Sequence, residues 1–476
     1  MTLPGATRWR AARAGRATVV IDAADYFRAA WEAMQRARHQ ILLVGWDFDA
    51  RIRLVWDDDQ PDAPVTVGEF IGWLVDRTPG LEVYILRWDK GALKTLFRGK
   101  TLWTLTKWRF ARRRIHLKLD NYHPIAASQH QKIVVIDDSI AFCGGIDMTD
   151  ARWDTRAHLD GDPHRITPRG KPYKPWHDAT TALAGPVAAA LGELCRERWR
   201  LAGGAPVAPP PTHDDCWPPS LAPDFIDTDV AISRTQPHYR EQPEIREIER
   251  LYVHLIHRAK RRIYAESQYF ASRRVAEAIA ARLAQADGPE IVIINPVVAQ
   301  GWLEPIAMDT ARARLFQALK RHDRHDRLRM YHPIAASGRA IYVHAKVLVI
   351  DEAVIRVGSS NFNNRSLRLD TECDVTIVDD GPRIAQIRDG LIAEHLGRDP
   401  AEIAAGIADK GLIATIEALR GAGRTLIPYK VPDLDAVEKW LADNEVLDPE
   451  GPAEMFEPLS KRGLLRRLGR RANLWR

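Results

Sequence analysis

Cysteine is scarce in this chain, which has only Cys143, Cys195, Cys216 and Cys373 among its 476 residues. They show no paired spacing such as Cys-x-x-Cys, so neither a disulfide framework nor a cysteine-based zinc site is indicated. No run of about 18 apolar residues occurs, so no transmembrane helix is predicted. The N-terminus is rich in arginine but lacks the apolar segment of a secretory signal. These absences favour a cytoplasmic protein, and secretion without a recognisable signal peptide is the alternative.

Acidic residues are slightly outnumbered: 63 Asp and Glu stand against 69 Lys and Arg, giving a net charge of +6. A basic protein favours an anionic partner, and both nucleic acid and an acidic membrane surface satisfy that condition. The hydrophobic content of 45% is ordinary for a folded protein. A chain of this length can form two domains, each with its own core.

One short pattern, His-x-Lys-x4-Asp, occurs twice. The two copies are His130, Lys132 and Asp137, and His344, Lys346 and Asp351. By composition, only about 0.04 matches are expected in a chain of this length. Apolar residues follow each lysine, which predicts that each motif lies on a strand, over residues 130–136 and 342–350. Side chains two residues apart share one face of a strand, so each lysine should emerge beside its histidine.

The repetition extends beyond the motifs. His-Pro-Ile-Ala-Ala-Ser occurs at residues 123–128 and again at 332–337, and small-residue turns follow at 144–147 and 358–361. This spacing is too long for a solenoid and fits a duplicated domain. The sequence therefore predicts a pseudo-twofold protein with one site between its halves. The alternative is a duplicated architecture whose site is inactive.

Short apolar runs alternate with amphipathic stretches, which predicts α/β architecture. We expect two pseudo-twofold-related α/β/α sandwich domains, each with a mixed β-sheet flanked by helices, that form a shared active site. Asp22 is expected to cap a helix over residues 23–36, and Thr66 the next helix. The predicted units are an N-terminal domain at 1–203, a Pro-rich linker at 204–219, a C-terminal domain at 220–398 and an extension at 399–476.

The extension ends in a basic tail, where arginines and lysines surround Leu464, Leu465 and Leu468. At helical spacing the leucines share a face, and the flanking charges suit anionic lipid headgroups. A disordered basic tail is the alternative, because Gly463 and Gly469 weaken a helix.

The two complete motifs, each with its Gly/Ser-rich turn, resemble the phospholipase D superfamily over roughly residues 17–396. Residues 263–270, 152–155 and 176–178 resemble segments of its phospholipid-cleaving branch. The resemblance implies a phospholipase D that hydrolyses the distal phosphodiester bond of a phosphatidylcholine-like glycerophospholipid to phosphatidate and a free alcohol. A phosphohistidine intermediate and transfer to other alcohols are also implied. The alternatives are a phosphatidyltransferase of the cardiolipin-synthase kind, whose members usually carry N-terminal membrane helices, and a nuclease.

The resemblance also implies roles for individual residues. His130 is expected to be the nucleophile and His344 the acid/base, while Lys132 and Lys346 bind the phosphoryl oxygens. Neither a metal nor another cofactor is expected there, because lysine is not a usual metal ligand. The remaining expected site residues are Asn361, Ser359 and Gly145 for phosphate, and Asp154 (first half) and Asp370 or Glu372 (second half) as carboxylates that orient the imidazoles.

Two questions about aspartates stay open in the sequence. Asp137 and Asp351 are either catalytic or structural. Asp147 occupies the turn position equivalent to Asn361, where an ionised carboxylate would repel phosphate. Either Asp147 has a structural role, or the phosphate-binding residues of the first half differ from those of the second. The expected partner is a phospholipid at a membrane surface, contacted peripherally by a monomer; nucleic acid is not expected.

Overall fold

The computed structural model describes residues 3–56, 62–89, 113–125, 127–211, 214–298 and 304–432. The elements of the first half are β1 (Arg10–Ile21), α1 (Ala23–Met34), β2 (Gln40–Gly45), α2 (Val67–Arg77), β3 (Glu82–Trp88), β4 (Ile115–Asp120), β5 (Ile133–Ile136), β6 (Ile140–Gly144), β7 (Trp176–His177), β8 (Ala179–Ala184) and α3 (Pro186–Leu201). The basic tail lies outside the described residues.

The second half has the same order of long strands, with β10 and α6 as additional elements among the described residues. Its elements are β9 (Phe225–Gln236), β10 (Ile245–Arg246), α4 (Glu247–Arg258), β11 (Arg262–Glu266), α5 (Arg273–Leu283), β12 (Glu290–Ile294), α6 (Glu304–His322), β13 (Leu328–Ile334), β14 (Tyr342–Val343), β15 (Val347–Ile350), β16 (Val354–Gly358), β17 (Glu372–Val378) and α7 (Arg383–Leu396). Helices α8 (Pro400–Lys410) and α9 (Leu412–Leu419) follow, and β18 (Thr425–Pro428) then pairs with β13. None of the described helices is long and apolar enough to cross a bilayer.

One mixed sheet runs through both halves. Among the described residues its order is β18-β13-β12-β11-β15-β16-β17-β9-β1-β8-β6-β5-β2-β3-β4. Apart from β18, which has no counterpart among the described strands of the first half, the order is symmetric about the antiparallel pair of β1 and β9. In this pair Arg10 lies opposite Ile232 and Ala17 opposite Phe225. The predicted mixed α/β architecture with flanking helices is confirmed, but the two sheets are joined edge to edge. The long strands β1 and β9 pair with each other and so close what would otherwise be two open edges.

The core is continuous across the halves on one face of the sheet. A single buried apolar cluster there includes Val187 and Leu191 of α3 together with Ile384 and Leu391 of α7. On the other face, α1 and α2 cover the first half, and α4 and α5 cover the second. Strands such as β5 and β15 are buried throughout, because helices pack on both faces.

The predicted first residues of the two motif strands are wrong. Strand β5 starts at Ile133 and β15 at Val347, so each His-x-Lys segment precedes its long strand. The backbone of these segments pairs with the opposite half instead, as β14 does with β7.

Two predicted helix caps are also wrong. Neither Asp22 nor Thr66 makes a capping hydrogen bond. The Asp22 carboxylate accepts a hydrogen bond from the amide of Asp178, and the Thr66 hydroxyl donates to Glu69. Each side chain is therefore taken by a tertiary or local partner that the propensity rule does not consider.

Candidate active site

Each motif histidine is bound through its backbone to the opposite half of the chain. The amide of His130 donates to the carbonyl of Thr371 at 2.9 Å, and the amide of His344 donates to the carbonyl of His177 at 2.8 Å. The residue after each acceptor is a carboxylate, Glu372 in one case and Asp178 in the other. The two motifs are thus drawn to the interface between the halves.

The imidazoles pair with these carboxylates. The Nδ1 atom of His130 lies 3.0 Å from Glu372 Oε2, and that of His344 lies 2.6 Å from Asp178 Oδ2. Both carboxylates are buried. A carboxylate on Nδ1 holds the ring in one tautomer and orientation, which leaves Nε2 as the reactive nitrogen.

The two carboxylates occupy equivalent positions of the repeat. In the sheet, Gly144 pairs with Thr180, and Gly358 pairs with Asp374. Asp178 and Glu372 each lie two residues before those partners. The exchange is therefore reciprocal, because each half supplies the carboxylate for the histidine of the other.

The carboxylates predicted to orient the imidazoles are wrong for Asp154 and Asp370, and Glu372 is assigned to the wrong histidine. Asp154 binds Arg165 at 3.0 Å and the amide of Trp176 at 2.8 Å, not His130. Asp370 accepts from the amide of Ser128 and also binds Arg365. Glu372 does bind an imidazole, but that of the first half.

Asp178 is not among the carboxylates expected from the sequence, although residues 176–178 resemble a family segment. The two halves can be aligned by the pairing of the turn glycines Gly144 and Gly358 with the strands opposite them. This alignment places Asp178 at the position equivalent to Glu372, and so identifies it.

The motif lysines lie beside the same backbone segments. The ammonium of Lys132 donates to the carbonyl of His130 at 2.7 Å, and Lys346 donates to the carbonyl of His344. Lys132 also lies 3.3 Å from Asp147 Oδ2, and both side chains are buried. Because Asp147 also accepts from the amide of Trp46 at 2.9 Å, the structure assigns it a structural role.

The charged groups influence one another across the interface. Burial and the positive charges of Lys132 and Lys346 lower the pKa of His130 well below its usual value. Burial also lowers the pKa of Lys346 to about 7, despite the opposing charge of Asp178. A lysine from the second half thus acts on a histidine of the first, which places both motifs in one electrostatic environment.

The three predicted phosphate-binding residues have different surroundings. Ser359 donates its hydroxyl to Glu372, so it orients the carboxylate that holds His130. At the equivalent Gly145, a Cβ would lie 2.3 Å from Asp178 Oδ1, so this position must lack a side chain. Asn361 is buried, and its Oδ1 has no hydrogen-bond partner among the described residues. Contact of these three residues with phosphate stays a prediction.

The motif aspartates lie outside the site, so the structure supports the structural one of the two roles that the sequence leaves open for them. A four-residue strand separates each from its lysine, a distance of about 13 Å or more. The Asp137 carboxylate accepts from the amides of Arg38, His39 and Gln40. The Asp351 carboxylate accepts from those of Lys260, Arg261 and Arg262. Asp137 therefore fixes the chain at the start of β2, and Asp351 fixes it at the start of β11.

Aromatic rings flank both histidines. Trp46 lies 6.3 Å from His130 between ring centroids, and Trp176 lies 5.2 Å from His344. The guanidinium of Arg152 sits 4.2 Å from the centroid of Trp176 and acts electrostatically on His344. Arg152 adds a positive charge that the motifs alone do not predict. Behind His344, a buried group of histidines and carboxylates (Asp22, His158, His177 and Glu394) has a composition that can bind a metal.

Comparison with known proteins agrees with this geometry. A family model described as "Phospholipase D" matches residues 33–214, and one described as "Cardiolipin synthase, PLD-like domain" matches residues 252–392. Together they cover most of the chain, one in each half, so the chain belongs to the phospholipase D superfamily.

Curated relatives include phospholipase D alpha 1 of Carica papaya, 25% identical over 71% of this chain and 58% of that protein. The protein of the same name from Arabidopsis thaliana is 24% identical with the same coverage. The chain therefore spans about 58% of the length of these relatives. A crystal structure of a phosphatidylserine synthase from Haemophilus influenzae has the same fold, with a TM-score of 0.53, 13% identity, and coverage of 85% of this chain and 95% of that one.

The motif aspartates provide a test of their structural assignment. Asp137→Ala should lower the midpoint of thermal unfolding by about 4–8 °C, because three backbone amides lose a charged acceptor. Turnover per folded molecule should stay within about twofold of wild type. The control is Asp380→Ala, which removes an exposed aspartate and should leave both the unfolding midpoint and turnover unchanged. A normal unfolding midpoint combined with lost turnover would instead assign Asp137 a catalytic role.

The reciprocal carboxylates provide a second test. Asp178→Asn and Glu372→Gln should each reduce turnover by roughly 10²–10⁴-fold, because an amide neither fixes the reactive tautomer nor stabilises the imidazolium. Circular dichroism and thermal unfolding would check the fold. The matched control is Asp138→Asn, which changes a buried aspartate that pairs with Arg196 instead of an imidazole. A folded Asp178→Asn variant with more than about a tenth of wild-type turnover would contradict the assignment.

Proposed function

We propose that the protein is a phospholipase D that hydrolyses the distal phosphodiester bond of a glycerophospholipid, giving phosphatidate and a free alcohol. One observation carries the proposal: two imidazoles, each oriented by a carboxylate of the opposite half, share a site with two buried lysines. A phosphodiester has a poor leaving group and an anionic centre, so its cleavage needs a nucleophile, a proton donor and positive charge.

In the proposed reaction, Nε2 of His130 attacks phosphorus and forms a phosphohistidine. The leaving alcohol takes the proton of His344 Nε2 as its bond to phosphorus breaks. His344 then removes a proton from water, the resulting hydroxide attacks phosphorus, and the bond to His130 breaks to release phosphatidate. Lys132 and Lys346 neutralise the non-bridging oxygens throughout.

The assignment of the two roles follows from the environments of the histidines. The lowered pKa of His130 keeps its ring neutral, as a nucleophile requires. Burial alone would raise the pKa of Asp178, but His344 and Lys346 outweigh it and lower that pKa to about 2. Burial raises the pKa of Glu372 to about 7, although Lys132 opposes this. The better-ionised carboxylate thus lies beside His344, where it stabilises the imidazolium.

Burial and Lys346 lower the pKa of His344 in the free protein, although Asp178 opposes them. An anionic phosphodiester bound between the lysines adds negative charge and raises the pKa of both imidazoles. Substrate binding therefore favours the protonated form of His344 that the first step needs.

A lipid substrate is supported by the curated relatives named phospholipase D alpha 1. The partly exposed ring of Trp46 beside His130 would suit the apolar parts of a lipid. We expect peripheral contact of a cytoplasmic monomer with the membrane surface, aided by the basic tail. A phosphatidyltransferase is the second candidate, favoured by the match of residues 252–392 to the cardiolipin synthase description. It differs only in the acceptor that attacks the intermediate.

The experiment that tests this function is incubation with mixed phospholipid vesicles, with and without a few per cent of a primary alcohol. The phosphohistidine can be attacked by either acceptor, so the alcohol should divert product from phosphatidate to phosphatidylalcohol, measured by mass spectrometry. His130→Ala and His344→Ala should each abolish both products. His332→Gln, which changes a buried histidine bonded to the carbonyl of Asn295, is the control.

The same preparations would be offered single- and double-stranded DNA. Cleavage of DNA that depends on both His130 and His344, together with inert phospholipids, would overturn the lipid assignment. Transfer to the alcohol without measurable hydrolysis would favour the phosphatidyltransferase.

A further inference from the structure

Four buried side chains converge directly behind the pair formed by Asp178 and His344. Asp22, His158 and His177 come from the first half, and Glu394 comes from α7 in the second. All four side chains are at most 1% exposed. The group lies outside the catalytic residues proposed above, and its composition differs from the Lys-His-carboxylate set of the reaction site.

The donor atoms of the four side chains all lie within 4.8 Å of one another. His158 Nε2 lies 3.1 Å from Glu394 Oε1 and 3.6 Å from Asp22 Oδ2. His177 Nδ1 lies 2.8 Å from Glu394 Oε1 and 3.2 Å from Asp22 Oδ1. In a tetrahedral zinc site with metal–ligand distances of about 2.0–2.2 Å, neighbouring donors are about 3.3–3.6 Å apart. The observed separations are close to this spacing.

Two of these donors have unsatisfied hydrogen-bonding capacity. Among the described residues, neither Asp22 Oδ2 nor His177 Nδ1 makes a hydrogen bond, although both are buried. His177 Nδ1 approaches two carboxylates closely but without the direction a hydrogen bond needs. Buried polar atoms without a partner are costly. A cation among the four donor atoms would satisfy both atoms at once.

The outer nitrogens of both histidines are occupied as metal ligands require. His158 Nδ1 lies 3.1 Å from Asp154, and His177 Nε2 lies 2.8 Å from Glu266. Histidines that bind a metal through one nitrogen usually donate the other N–H to a carboxylate, which fixes the ring. Asp154 is itself held by Arg165 at 3.0 Å, so this outer layer is well supported.

Backbone conformation points the same way. Asp22 and His158 both have positive φ, at 64° and 44°. Such a conformation costs of order 1 kcal/mol or more in residues other than glycine, and ligand clamps are where it is usually retained. Neither residue is a glycine, so the site keeps their side chains despite the strain.

We propose that Asp22, His158, His177 and Glu394 form a closed structural site for one Zn²⁺ that joins the two halves. Two neutral imidazoles and two carboxylates balance the charge of the ion, and four protein ligands leave no position for substrate. The site holds the segment that carries Asp178, since the Asp178 amide donates to Asp22 at 2.9 Å. It also supports His344, whose amide donates to the carbonyl of His177.

The test is the metal content of the tag-free, full-length protein, purified without chelators and measured by inductively coupled plasma mass spectrometry. The expected result is about one zinc per chain, and replacement by Co²⁺ should give the visible absorption of a tetrahedral site. Less than about a tenth of an equivalent of any divalent metal, both as purified and after refolding with zinc sulfate, would overturn the proposal. The cluster would then be held by protonated histidines alone.

The zinc content of single-residue variants tests whether the ion lies at the proposed position. His158→Gln and Glu394→Gln should each reduce bound zinc at least tenfold and lower the midpoint of thermal unfolding. His332→Gln, elsewhere in the core, should change neither. His395→Gln is the sharper control, because His395 binds Glu266 but is not a proposed ligand. Loss of zinc in that variant alone would place the ion elsewhere and contradict the site. If the variants of the proposed ligands fail to fold, the zinc content and the Co²⁺ spectrum of the wild-type protein still show whether the site binds a metal.

Discussion

The reciprocal pairing of each motif histidine with a carboxylate of the opposite half is the interaction on which the site depends. His130 needs Glu372, and His344 needs Asp178. Among the residues that the structure describes, each of these imidazoles is hydrogen-bonded to a carboxylate of the other half. The continuous sheet across β1 and β9 sets the halves at a fixed distance, and the backbone bonds beside each carboxylate align the pairs. Fold and chemistry are therefore linked through one interface.

The two halves of the site are similar but not identical. Ser359 donates to Glu372, whereas Gly145 in the equivalent position only leaves room for Asp178. Asp147 binds Lys132 where the second half has Asn361. The carboxylates also differ in acidity: burial raises the pKa of Glu372 to about 7, whereas His344 and Lys346 outweigh burial and lower the pKa of Asp178 to about 2. This asymmetry supports different roles for the two histidines. A duplicated fold can thus supply a nucleophile and an acid from one repeated pattern.

The sequence predicts the architecture and the motifs well because both depend on local patterns. Alternating apolar runs predict mixed α/β layers, and the repeated His-x-Lys segments identify the four central side chains. The carboxylate partners depend on which half pairs with which, and that is a property of tertiary structure. The family resemblance implies Asp154 for the first half, although the pairing crosses the halves. Asp137 and Asp351 belong to the motif pattern, but their carboxylates serve backbone amides. The side chains grouped around His177 come from positions as far apart as 22 and 394, so no local spacing indicates the group.

In the proposed reaction one histidine carries the substrate while the other moves protons, within a single shared site. Peptide mapping of the enzyme, quenched in alkali during turnover, tests this directly, because phosphohistidine survives alkali better than acid. We expect a phosphatidyl adduct on His130 and none on His344, with more adduct in the His344→Ala variant when the substrate has a good leaving group. An adduct on His344 would reverse the two roles. A folded, active enzyme with no adduct on either histidine would rule out the covalent reaction.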